Sequence, residues 1–395
     1  MRCSRPPFPR DVCNEAPMNA AALLHACEAD VPWLIDVIRT LAGCESPSTD
    51  RDAVNRCGSL AAGYLRELGA DVTVLAGGEA GDIVRAEIGA GGSQLLVLGH
   101  LDTVWPIGQL ASMPVRLDGG RLYGPGVYDM KAGIGLALLA IRALQRLRVP
   151  LPRRIVCLLT SDEEVGSRAG RPVLEAEAAR SAAVLVPEPP LPGGGLKTSR
   201  KAVGEFIIEA HGVAAHAGVA PERGASAVLE IAHQIVDLHA IRDEASGLTI
   251  NAGVVAGGSR SNVVPEYARA EVDVRVSTAG GAARIERVMA SLRPRVEGVR
   301  LQVHGRVSRP AFERTPAVVR LYELAREIAA ELGRDLPEGS TGGGSDGNFT
   351  AALGIPTLDG LGAPGDGAHA RHEHVELDAL AWRAALMAGL IARIP

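Results

Sequence analysis

The sequence predicts an α/β protein: a mostly parallel sheet covered by helices, with an inserted β-α-β-β-α-β unit of the ferredoxin-like kind. Three observations carry this. Continuously apolar runs of strand length, Gln94–Leu98 and Arg153–Thr160, alternate with stretches of helical periodicity. A Gly-Pro cluster at Pro187–Gly195 then marks a change of pattern. Beyond it, strands and helices follow in the split order from Ser199 to Arg309.

The elements follow in chain order. Val31–Leu41 and Arg51–Leu68 read as helices; in the second, Val54, Cys57, Leu60, Ala61, Tyr64, Leu65 and Leu68 recur at helical spacing. Asp71–Leu75, Asp82–Ile88 and Gln94–Leu98 read as strands, followed by a Gly-rich loop and a helix from Met130 to about Arg148. Arg153–Thr160 and Ala182–Pro187 are further strands. In the insertion, Glu205–His211, Thr249–Ala256, Tyr267–Val276 and Arg300–Val307 read as strands, and Ala225–His239 and Ala282–Leu292 as helices. Tyr267–Val276 alternates cleanly: Tyr267, Arg269, Glu271, Asp273 and Arg275 face one way, small apolar residues the other. From Ala311 on, helix and loop return, ending in a helix over Leu377–Arg393. The expected organisation is therefore one unit made of residues 1–198 and 310–395, with residues 199–309 inserted into it. Residues up to about 28 read as a poorly ordered tail, and Met18 is an alternative start.

Composition narrows the function. A length of 395 residues suits two domains at about 100–200 residues each. A net charge of -5 excludes a broad basic face for nucleic acid, and 3% aromatic content excludes base-stacking platforms. None of the six cysteines, Cys3, Cys13, Cys27, Cys44, Cys57 and Cys157, forms a CxxC pair; a reducing cytoplasm is the expected location. No apolar run approaches the roughly 18 residues of a membrane span, and the N-terminus lacks a secretory apolar core.

The chemistry gathers where apolar strands end, which is where open parallel sheets bind ligands. Gln94–Leu98 runs into Gly99-His100-Leu101-Asp102, an imidazole with a carboxylate placed to brace its other ring nitrogen. Arg153–Thr160 runs into Ser161-Asp162-Glu163-Glu164, adjacent carboxylates whose repulsion needs a cation or solvent. Ala182–Val186 runs into Pro187-Glu188. Asp129 opens a helix after Tyr123-Gly-Pro-Gly-Val-Tyr, and His369, His372 and His374 share a late loop. Taken singly, these are a turn histidine, an acidic turn, a loop acid, a helix N-cap and surface histidines. Taken together, two histidines and several carboxylates suit two divalent ions with one carboxylate shared, an arrangement that activates water and polarises a carbonyl. A dinucleotide-binding dehydrogenase is disfavoured, because the glycines at 124 and 126 lack the rest of the fingerprint.

The stretches GHLDTV, YGPGVYDMKAG, TSDEEVGS, VPEP, HAGVAPERG, SNVVPEYARAEVDVR, RPAF, TGGGSDGNF and GAPGDGAH resemble, in order and spacing, one family. It is the dizinc glutamate carboxypeptidase, acetylornithine deacetylase and succinyl-diaminopimelate desuccinylase family. The likeness runs from about residue 30 to the end and is strongest to the glutamate carboxypeptidases. It implies a zinc-hydrolase catalytic domain with an inserted dimerisation, or lid, domain. It implies two Zn2+ per subunit, with Co2+ or Mn2+ as alternatives, held by His100, Asp129, Glu164, Glu188 and His369. Asp129 bridges and is followed by a cis peptide bond; Asp102 supports His100; Glu163 is general base and acid; His372 and His374 are bystanders. His216 would stabilise the oxyanion in the partner subunit's site. Asn262, Arg275 and the Gly344 backbone would hold the substrate, although Asp273 and Glu271 offer a plain ion-pairing role for that sheet face. Lys201 is a weaker candidate. Ser345, Gly347 and Asn348 depart from the family's pattern. The implied reaction is hydrolysis of an amide beside a free α-carboxylate, releasing glutamate or a similar amino acid from peptide- or folate-like amides. The alternatives are N-acyl-amino-acid deacylation, as in acetylornithine deacetylases, and an inactive metal-binding relative. The implied partners are a small peptide or N-acyl amino acid and a second copy of the chain, with neither nucleic acid nor membrane.

Overall fold

The computed structural model describes residues 19–241 and 243–395. Cys3, Cys13, Met18 and most of the expected tail lie outside the described residues. The rest of that tail is a helix, contrary to the sequence reading: α1 spans Ala20–Ala29. Asn19 caps it, its Oδ1 accepting from the Ala21 N–H at 2.9 Å, and Leu23, Ala26 and Cys27 are buried in the main core.

Helices α2 (Val31–Ala42) and α3 (Arg51–Glu67) follow, the second capped by Asp50. The main sheet is built from β1 (Asp71–Leu75), β2 (Ile83–Ile88), β3 (Gln94–His100), β4 (Arg154–Thr160), β5 (Ser181–Val186) and β6 (Leu196–Arg200). Helices α4 (Ala132–Arg146) and α5 (Gly170–Ala178) are the connections within it. Every residue of β3 is buried, as its unbroken apolar run predicts for a strand covered on both faces. β4 and β5 flank β3 and run parallel to it, so the carboxyl ends of all three reach one edge. That edge carries the site.

A smaller sheet follows. Its strands are β7 (Ala202–His211), β8 (Thr249–Gly257), β9 (Tyr267–Val276) and β10 (Arg300–Arg309), and its helices are α6 (Ala227–Ala240) and α7 (Ala279–Ser291). The spatial order is β8-β9-β7-β10, antiparallel throughout, as the split β-α-β-β-α-β order requires. Ile208, Ala210, Val272 and Val274 pack on Ile231, Leu238, Ile285 and Met289 of the helices. The opposite face carries the alternating polar row of β9.

The chain then returns through α8 (Pro316–Glu331), β11 (Glu338–Thr341), α9 (Gly347–Ala352), β12 (Thr357–Asp359) and α10 (Leu380–Arg393). The full main-sheet order is β1-β2-β4-β3-β5-β12-β6-β11. Strands β6, β11 and β12 are absent from the sequence reading. They are three to five residues long and polar, and they are held by neighbours in the sheet and by Arg200, whose Nε and Nη2 each donate to Asp359 at 2.8 Å. Arg200 and Phe312 exchange a pair of 3.0 Å backbone hydrogen bonds where the chain leaves and rejoins the main sheet. Among the described residues, no helix is long and apolar enough to cross a membrane, and Cys27, Cys44, Cys57 and Cys157 are free.

Candidate metal centre and active site

His100 is the last residue of β3 and is almost fully buried. Its Nδ1 lies 2.9 Å from the Asp102 carbonyl oxygen and 3.5 Å from the Asp102 carboxylate. The brace expected from the carboxylate therefore comes first from the carbonyl. A carbonyl accepts only, so Nδ1 carries a proton, and Nε2 is the ring nitrogen whose lone pair a bound ion would take. That Nε2 faces Asp129 Oδ1 at 3.2 Å and Glu188 Oε1 at 3.5 Å. The Asp102 carboxylate is employed on the next strand's turn: it accepts from the backbone N–H groups of Glu163 and Glu164, each at 3.1 Å, and from Ser48 Oγ at 2.6 Å.

The three adjacent acids after β4 diverge. Asp162 accepts from the N–H groups of Ala169 and Gly170 at the start of α5, which makes it a cap. Glu164 Oε2 faces His369 Nε2 at 3.2 Å. Glu163 turns towards Arg309, whose Nη2 lies 2.9 Å from Oε1. Burial pushes the Glu163 carboxyl well above the usual range, and burial raises Glu164 as well.

Asp129 sits in a wide turn over Val127–Lys131 and does not cap α4; its peptide bond to Met130 is cis, as the resemblance implies. Its Oδ1 faces His100 and its Oδ2 faces His369 Nε2 at 3.5 Å. Burial would raise this acid, but the two imidazoles overrule it and hold it below the usual range. Burial would likewise lower His100, yet Asp102, Asp129 and Glu188 keep it well above its usual value. His369 is pushed up to about 10 by Asp129 and Glu164. It adopts a left-handed backbone, φ 60°, beside Gly367.

Two ligand groups thus share Asp129. His100, Asp129 Oδ1 and Glu188 form one; His369, Asp129 Oδ2 and Glu164 form the other. The residues fit divalent ions on two counts. Imidazole lone pairs and carboxylate oxygens converge on common points, where only a proton or a cation relieves the repulsion. One of the converging acids, Glu164, also has a buried Oε1 with no hydrogen-bond partner. One atom each from His100, Asp129 and Glu164 lies within a common span of 4.8 Å.

The small-sheet candidates stand apart from this cluster. His216 is exposed, and its Nδ1 accepts from the Gly218 N–H at 3.1 Å. Asn262 is exposed too, its carbonyl accepting from the Ala217 N–H. Arg275 Nη2 donates to Asp273 at 2.8 Å and Nη1 to the Gly342 carbonyl at 3.3 Å. Arg269 pairs with Glu271. The Gly344 carbonyl accepts from Arg200 Nη1 at 3.0 Å. Lys201 donates to the Gly247 carbonyl at 2.6 Å, on the small-sheet side. His372 and His374 touch neither ligand group.

Several residues escaped the sequence reading. Glu373 is fully buried; its Oε1 accepts from the Tyr128 and Asp129 N–H groups and its Oε2 from the Gly126 N–H and Trp105 Nε1. It ties the Asp129 turn to the His369 loop. Arg200 fastens β6 to Asp359 and lies 3.7 Å from Glu188 Oε2. Arg309 and Asp346 stand behind Glu163. Two signals were available: Glu373 lies four residues after His369, and Arg309 opens the RPAF stretch. The departing residues Ser345 and Asn348 are buried and tie their loop to its surroundings: Ser345 Oγ donates to Asp359 on β12, the Ser345 N–H donates to Asn348 Oδ1, and Asn348 Nδ2 donates to the Lys201 and Pro310 carbonyls.

A parallel-sheet edge at which two imidazoles and three carboxylates gather about one shared acid has the chemistry of a metallohydrolase. The chain belongs to the peptidase family M20/M25/M40, whose profile matches residues 96–393. It is 31% identical over 380 residues to carboxypeptidase G2 of Pseudomonas sp. (strain RS-16), covering 93% of this chain and 91% of that one. It is 29% identical over 333 residues to acetylornithine deacetylase of Myxococcus xanthus, covering 78% and 82%. Among solved structures, the aminopeptidase PepT of Bacillus cereus ATCC 10987 shares the fold with a TM-score of 0.78 at 22% identity, over 92% of this chain and 98% of that one.

Proposed function

We propose that the chain is a dizinc exopeptidase that cleaves an amide beside a free α-carboxylate, releasing glutamate or a similar amino acid. Residues 1–198 and 310–395 form the catalytic unit, and 199–309 form a lid and dimerisation unit. The observation that carries this reading is Asp129, which turns one oxygen to His100 and the other to His369. Likeness to carboxypeptidase G2 over nearly the whole chain supports the substrate class.

His100, Asp129, Glu164, Glu188 and His369 hold the two ions, zinc by preference over cobalt or manganese. When bound, the ions supply Lewis acidity to a carbonyl and lower the pKa of water. Asp102 holds the His100 ring and the Glu163–Glu164 turn. Glu163 takes the proton of the attacking water and returns it to the leaving amine. Arg275, released from Asp273, grips the α-carboxylate with its planar fork. Asn262 and the Gly344 backbone hold the carbonyl end. His216 of a second subunit donates to the developing oxyanion.

A homodimer accords with the exposure of His216 and with apolar surface on the small-sheet unit: Val254 and Val255 on edge strand β8, and Leu229 and Val236 on α6, are exposed. A cytoplasmic location suits the free cysteines.

The test is Glu163→Ala. Turnover should fall by about 10⁴-fold or more, while metal analysis still finds two ions per chain. Retained turnover sinks the base. The substrate class is tested by glutamate release from N-acyl-glutamate and folate-like amides. Cleavage of acetylornithine instead moves the enzyme to the deacylase branch, to which the Myxococcus relative points.

A further inference from the structure

Arg309 is the last residue of β10, yet its side chain belongs to the main-sheet site. It is 7% exposed. Its Nη2 donates to the Glu163 carbonyl at 2.6 Å and to Ser167 Oγ at 3.2 Å, and lies 2.9 Å from Glu163 Oε1. Its Nη1 donates to Asp346 Oδ1 at 3.2 Å. Asp346 also accepts from Thr160 Oγ1 at 2.9 Å and from Ser167 Oγ. The guanidinium therefore grips Glu163 at two points, backbone and carboxylate, and is itself fixed by Asp346. Gly344 makes room for it: a Cβ there would come within 2.7 Å of Arg309 Cδ.

We propose that Arg309 is a positioning residue for the base: it occupies Oε1 of Glu163, so that the proton is taken up and given back at Oε2. This rests on the reading of Glu163 as general base. A free glutamate side chain has three rotatable bonds, and a base that wanders by about 1 Å forfeits much of its effect. Arg309 removes that freedom by holding the carboxylate and the carbonyl of the same residue. It also makes the two oxygens unequal. Oε1 has its electron density committed to the Arg309 cation, which leaves Oε2 as the oxygen that takes the proton. A water O–H bond breaks as the Oε2–H bond forms. The water oxygen bonds to the carbonyl carbon; the Oε2–H bond then breaks as the amine N–H bond forms and the C–N bond breaks, and the second water proton stays on the released carboxyl group, from which it ionises. Because Arg309 comes from the small sheet and Glu163 from the main sheet, the base is aligned only when the end of β10 is seated.

The experiment compares Arg309→Ala and Arg309→Lys in the full-length, metal-loaded protein. The substrate is the amide that the wild type hydrolyses in the glutamate-release and acetylornithine screen. Arg309→Ala should lower kcat by about 10²-fold with KM nearly unchanged and two metals retained. Guanidinium chloride at a low, non-denaturing concentration should restore part of kcat. Arg309→Lys, which keeps the charge without the fork, should fall in between and serves if the alanine variant fails to fold. On a Glu163→Asp background, Arg309→Ala should cost far less than alone, because the group it positions has already moved. A raised KM with kcat kept would overturn the proposal, since Arg309 would then be gripping substrate. So would fully additive losses in the cycle, or no rescue. An active Glu163→Ala enzyme overturns the base reading itself; an inactive one with additive losses overturns only this inference.

Discussion

The two halves of the site are in different states of assembly. On the main-sheet side, His100, Asp129, Glu164, Glu188 and His369 already form a chain of close contacts, with His100 and Glu188 buried, Asp129 and Glu164 half-buried and His369 exposed. On the small-sheet side, His216 and Asn262 are exposed, on two short segments that bond to each other, while Arg275 is paired with Asp273. The contrast has a cause in the fold. His100, Glu164 and Glu188 follow adjacent parallel strands and are fixed by the sheet's register, and buried Glu373 ties the Asp129 turn to the His369 loop. Groups on a loop and an open sheet face have no such constraint; a substrate or a second subunit must supply it. On the proposed roles, the ion-binding half is preassembled and substrate recognition is completed on binding.

The largest expected effect falls on the preassembled half. Asp129→Ala removes the only acid common to both ligand groups. Bound metal should drop below two per chain and turnover should fall by at least about 10⁴-fold. Two ions still bound by metal analysis would break the shared-ligand reading.

His216→Ala is next. It should lower kcat by about 10²–10³-fold, the usual loss of an oxyanion donor, with metal content intact. Mixing it with Glu163→Ala sharpens the comparison. If His216 serves the neighbouring subunit, mixed dimers hold one intact site, and a statistical mixture regains roughly a quarter of wild-type turnover. No recovery, with exchange of subunits verified, would place His216 in its own chain's site.

Arg275→Ala should be milder: KM raised by about 10–100-fold and kcat largely kept, as for loss of a bidentate carboxylate contact. An unchanged KM would leave Arg275 as a partner of Asp273 and nothing more.

How much of this the sequence discloses differs between the halves in the same way. Strands β3, β4 and β5 were legible because burial on both faces demands unbroken apolar runs, and the residues that follow such runs stand out. The split order of the small sheet was legible from the alternation in β9. Strands β6, β11 and β12 were not, because strands of three to five polar residues have no period to read; they exist through their neighbours. Helix α1 is short, and its signal is confined to the cap at Asn19 and an apolar face at Leu23, Ala26 and Cys27. Glu373, Arg200 and Arg309 were hidden because each acts across the fold on a residue far away in sequence. A buried arginine and a surface one look alike until the carboxylate beside it is known.

The paired backbone bonds between Arg200 and Phe312 have a consequence for the protein's history and for its engineering. They staple together the two points where the chain leaves and rejoins the main sheet, so the host is closed whatever lies between them. An excursion whose ends already meet costs its host little closure entropy, at any length. On the proposed division of the chain, the stretch between is a cassette. Exchanging it for another of the same end-to-end spacing would then alter which molecules are admitted, while the proposed ion-holding half keeps its geometry, provided the newcomer brings its own arginine to stand where Arg309 stands.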